Sequence, residues 1–140
     1  MRFDPALAAR DAFYESRSEL GSDWETAVEL ERTFSSTAGA EARAAYDGLL
    51  ALARRHQNAR SFQTFCIYIA WQQATEEPIA RHFRTGLQLC DAYLAAENIE
   101  DSVHLDRIRE LRRSFRTALG LEAEDDMQSE YTKDTPKGGD

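Results

Sequence analysis

Phe62-Gln63-Thr64-Phe65-Cys66-Ile67-Tyr68-Ile69-Ala70-Trp71 is the stretch whose reading decides the fold. Its aromatic and β-branched residues suit a buried strand. Between Phe65 and Trp71 it is apolar on nearly every side. A lone strand would have nothing to pair with, because apolar residues elsewhere in the chain recur at steps of three and four. The run is therefore expected to be a helix at the centre of an all-α bundle.

The segments on either side support this. Downstream, Thr75-Glu76-Glu77-Pro78 reads as a helix opening, with first-turn carboxylates and a proline where no amide bond is lost. Ile79, Phe83, Leu87, Cys90 and Leu94 follow as an apolar seam, and Leu105, Ile108, Leu111, Phe115 and Leu119 make a last amphipathic helix stopped at Gly120. Upstream, Ser61 is a candidate cap and Gln57-Asn58 a break. Ala42, Ala45, Tyr46, Leu49, Leu52, Ala53 and His56 form a further stripe. Ser22-Asp23-Trp24-Glu25 has the pattern of a capping box. Asp4-Pro5 opens the first helix, with Leu7, Phe13, Tyr14 and Leu20 as its apolar face and Gly21 closing it.

The expected fold is a compact bundle of five or six antiparallel helices in three helical hairpins, over about 4–35, 40–74 and 76–119. That cadence is also found in helical repeats, but the three segments share no signature residues and the tetratricopeptide pattern is absent. A bundle is preferred to a solenoid. Residues 1–120 form the single domain, and 121–140 are expected to be a disordered acidic tail.

The chain has 140 residues, 42% hydrophobic, with 25 acids against 17 bases for a net charge of −8. Seven acids and two lysines lie in 121–140, which therefore carries −5 of that charge. Every base before the tail is arginine. Residues 1–50 hold ten acids and five arginines, whereas 51–120 hold eight acids and ten arginines. The tail serves solubility or competes for a basic surface. No apolar stretch approaches a membrane span, and the start lacks the apolar run of a signal peptide, so a cytoplasmic location is expected.

Chemistry-bearing motifs are scarce. Cys66 and Cys90 sit on apolar stripes as small hydrophobes. Asp101-x-x-His104 is the nearest approach to a metal pair, and Asp101 reads more simply as a helix cap. No glycine-rich loop or serine-hydrolase pattern occurs. The Arg–His spacing of HEPN-type helical ribonucleases is missing before His56, His82 and His104. No catalytic residue, cofactor or metal is expected. The arginines are the candidate contact residues: Arg54, Arg55 and Arg60, Arg81 and Arg84, and Arg109, Arg112, Arg113 and Arg116, the last four on one face of the final helix. Guanidinium groups suit carboxylates at protein interfaces and also phosphates. With Tyr and Trp they are enriched at binding hot spots.

The expected function is therefore non-enzymatic and works through protein–protein contacts, as a homo-oligomer or as a subunit or adaptor of a larger assembly. The alternative is a small helical subunit of a nucleoprotein complex that contacts RNA or DNA backbone through these arginines. A second alternative is a ligand-binding or enzymatic pocket that the sequence does not reveal.

Overall fold

A computed structural model describes residues 4–95 and 104–121. The long helices are α1 (Pro5–Glu15), α3 (Trp24–Ser36), α4 (Gly39–Arg55), α5 (Arg60–Glu76), α6 (Ala80–Ala95) and α7 (Leu105–Ala118). A single-turn α2 (Arg17–Leu20) extends α1, and Gly21–Asp23 is a 3-10 turn. No strand occurs among the described residues. All of the tail except Leu121, the Asn98 to Ser102 turn and Asp101 lie outside them.

The decisive stretch is the central helix. Nine consecutive residues of α5, from Phe62 to Ala70, are buried. A helix hidden on all sides needs neighbours all round. α1 packs along α5, as does α6, while α4 and α7 lean on it more lightly. α3 packs on α4, and α7 on α6. The main partner of α1 is therefore α5, far along the chain, and not the neighbouring α3. Phe13 joins the two: its ring lies 4.8 Å from that of Phe65 and 4.8 Å from that of Trp24.

Several local expectations hold. Asp4 accepts hydrogen bonds from the Ala6 amide at 3.0 Å and the Leu7 amide at 3.4 Å, with Pro5 at the first helical position. Gly120 ends α7 at φ 77°, a conformation that a Cβ disfavours. The break after α4 is real, and it separates α4 from α5.

Other expectations are corrected. The capping box of Ser22 and Glu25 does not form: Ser22 lies inside the 3-10 turn, Asp23 takes the N-cap position of α3 without a side-chain capping bond, and its carboxylate reaches to charged partners across the fold instead. It lies 2.7 Å from His56 Nε2 and accepts from Arg55 Nη1 at 3.1 Å. These contacts tie the start of α3 to the end of α4. Ser61 does not cap α5. Instead the Glu19 carboxylate, on α2, accepts the Ser61 and Phe62 amides, each at 3.1 Å. Thr75 and Glu76 end α5 instead of opening α6. On α1, Phe13 and Leu20 are buried, but Leu7 and Tyr14 are 55% and 66% exposed.

A carboxylate on free helix amides is a favourable placement. Glu19→Ala is expected to cost about 1–2 kcal/mol of stability. Urea unfolding checks this, and Glu19→Gln should lose less, because its amide oxygen still accepts one bond.

Hydrogen bonding to His56 and then to Arg55 holds the Asp23 carboxyl below its usual value. His82, 2.9 Å from Glu77, does the same for Glu77. A depressed carboxylate contributes its stability fully above its unfolded pKa of about 4 and loses it as pH falls further. The melting-temperature gap between the parent and Asp23→Asn should therefore be widest above about pH 4.5 and narrow as the pH falls below that.

Candidate functional site

α4 and α6 both lean on α5, and they meet edge-to-face where the Tyr46 and His82 rings lie 6.1 Å apart. Beyond that meeting point, towards the carboxyl end of α4, a groove of about 790 Å³ opens between them. Leu50 and Ala53 of α4 form one wall, and Leu89, Ala92 and Ala95 of α6 the other. Gln57, Asn58, Gln63, Thr85, Gln88 and Arg54 add the polar groups. No carboxylate of the described residues lines it.

The sequence builds this groove in two ways. Alanines on both walls leave room for another chain to come close. Gln63, buried on α5, spans the floor and fixes the loop above it. Its Nε2 donates to the Ala53 carbonyl, freed at the end of α4, at 2.7 Å, and joins the Ala59 amide on the His56 carbonyl at 3.1 Å. Both amide protons are thereby used. Gln63 Oε1 has no partner among the described residues and is left to the groove.

The nine candidate arginines do not converge on this groove. Arg54 lines it. Arg55 pairs with Asp23. Arg60 folds back, donating to the Tyr93 carbonyl at 3.0 Å with its guanidinium 3.7 Å from the Tyr93 ring centroid. Arg112 donates to Asp91 at 2.6 Å and Arg116 to the Leu121 carbonyl at 3.2 Å. Arg109 lies 3.8 Å from Asp106. Arg81 and Arg84 are exposed on α6, and Arg113 on α7. The four α7 arginines are not opposite the buried stripe as a set. At about 100° per residue, Arg112 is only about 40° from Ile108, so it sits at the seam with α6.

The reactive residue types are held in unreactive settings. Burial pushes the Cys66 thiol well up, and that of Cys90 up to about 12. Both cysteines are free, and Cys66 donates weakly to the Leu49 carbonyl at 3.8 Å. Tyr68 Oη lies 2.9 Å from His104 Nδ1, and His104 Nε2 lies 3.8 Å from Glu15. This chain of contacts joins α5, α7 and α1. Burial raises the Tyr68 phenol to about 12, so at neutral pH it is a neutral hydrogen-bonding group. Among the described residues no three His, Cys, Asp or Glu side chains gather as a metal ion requires. No described helix is long and apolar enough to cross a membrane.

Periodicity gave no sign of the groove, since Leu50 and Leu89 lie off the stripes it picks out. The excess of Gln and Asn near residues 57–63 was the available clue. Compared with known proteins, the chain matches no family model, no curated protein and no solved structure.

Proposed function

We propose that the protein is a non-enzymatic, protein-binding helical module, and that the α4–α6 groove receives an amphipathic segment of a partner protein. The groove itself is the observation that carries this reading. Its apolar walls suit one face of a helix laid lengthwise, a recurrent mode of peptide recognition. Its amides both donate and accept, so they can pair with the partner's polar edge. Arg54, exposed at the rim, favours a partner with a carboxylate at that point.

Nucleic-acid binding through the arginines has less support. Arg55, Arg60, Arg109, Arg112 and Arg116 already direct donors to partners within the chain. The four others are spread over α4, α6 and α7.

A photo-crosslinking amino acid in place of Gln88, used in the native host, tests the reading. One defined polypeptide should be captured, and Ala92→Trp, which fills the groove, should abolish that capture without changing the helical content. Capture that survives Ala92→Trp, or salt-sensitive capture of RNA or DNA in place of protein, would sink it.

A further inference from the structure

We propose that Gln63 selects the partner: the segment received by the α4–α6 groove carries one neutral hydrogen-bond donor, an amide, a hydroxyl or an indole N–H, in the middle of its apolar face, seated on Gln63 Oε1. This inference rests on the reading of the groove as the seat of a partner helix, and adds which helix the groove accepts.

The first observation is burial. Of the polar side chains that line the groove, Gln63 alone is buried, at 4% exposure. Arg54, Gln57, Asn58 and Gln88 are exposed and can turn to suit many partners. Gln63 cannot turn. Its Nε2 donates at 2.7 Å to the Ala53 carbonyl and at 3.1 Å to the His56 carbonyl. Two carbonyl acceptors fix which end of the amide is nitrogen. Swinging Oε1 to another direction would break both bonds. No group among the described residues donates to Oε1.

The second observation is position. In the chain, Ala53 and His56 fall between Leu50 and Asn58, the first and last groove residues of the α4 wall. Gln63, bonded to both, therefore sits near the middle of the groove's length, between apolar walls. A helix laid there covers Oε1. The partner's own backbone amides are spent on bonds within its helix, so the donor has to come from a side chain. An apolar side chain at that point would strip solvent from the acceptor and return nothing. A carboxylate would set acceptor against acceptor. A lysine or arginine would bring a like charge towards Arg54, next to Ala53 in α4. A neutral donor is left. A site built to hydrogen-bond a polar group rejects an apolar one in its place far more strongly than an apolar pocket rejects a misfit.

Displayed helical peptides test this on the full-length chain. The library keeps an apolar stripe with an acidic flank and varies the central position of the stripe over every residue type. Peptides selected on the parent should carry mostly Asn, Gln, Ser, Thr, Tyr or Trp there, and Ala92→Trp should exclude them. Replacing the donor of a selected peptide by Leu should weaken its binding to the parent about tenfold or more, and should not weaken its binding to Gln63→Met. The first of these comparisons leaves the protein unaltered, so it decides the matter even where Gln63→Met folds poorly. Peptides that Ala92→Trp excludes, but whose central position shows no preference for a donor, would overturn the role of Gln63 and leave the groove reading standing. A selection that yields no peptide excluded by Ala92→Trp would overturn both.

Discussion

Gly86→Ala is expected to melt roughly 10 °C below the parent, a loss of about 2–3 kcal/mol. Alanine in a helix interior ordinarily gains about 1 kcal/mol over glycine, so the sign here is set by packing. Gly86 is on α6, and the fully buried Phe115 ring of α7 lies directly over it. A methyl group at Gly86 would overlap that ring. Trp71 at 5.4 Å and Phe83 at 6.4 Å hold the ring edge-on and leave it little room to yield. α7 must therefore lift away from α6. Gly48 provides the control. A Cβ there meets the Leu30 methyl at 2.9 Å, the movable end of a flexible side chain, so Gly48→Ala should be close to neutral. Combining Gly86→Ala with Phe115→Leu should recover part of the loss, because the two sites share one space. Thermal melts of the three variants check the set, and an unchanged melting temperature for Gly86→Ala would contradict the seat described.

Phe65→Ala is expected to be more damaging, at about 3–5 kcal/mol. Phe65 is 2% exposed, with its ring 4.8 Å from Phe13 and 5.6 Å from Phe62. Removing it opens a void where α1 meets α5. A domain of this size has about 5–15 kcal/mol in all, so the variant should be close to unfolded at 37 °C. Hydrogen exchange should show α1 losing protection before α7, because Phe65 supports the first and has no ring contact with the second. Equal loss in both helices would mean that α5 transmits the damage throughout the bundle.

How much of this was legible in the sequence depends on the reach of each interaction. The α5 stretch was readable because a long apolar run without strand partners admits few folds. The Asp4-Pro5 opening was readable because a cap acts within its own turn. Glu19 on the α5 amides was not, since the donors it accepts from lie 42 and 43 residues away and nothing local marks them. The Ser22–Glu25 pattern misled for the same reason: it is read within one turn, whereas Asp23 beside it is tied to His56 and Arg55, 33 and 32 residues on. Leu7 and Tyr14 fitted a helical period with Phe13 and Leu20, yet lie on the other side of α1. The groove was least readable, for it is a space between helices and not a property of either one.

The pairing of α1 with α5 also sets an order of events during synthesis. α3 and α4 are neighbours in the chain and can close on one another as soon as both have left the ribosome. α1 cannot, because its main seat is built from residues near 61–76, and Phe13 has only Trp24 to cover one side of it until Phe65 arrives. At about 5–20 residues per second that wait lasts several seconds. Among the described helices α1 is thus made before the others yet is one of the last to be housed, and until then its uncovered side is open to a chaperone.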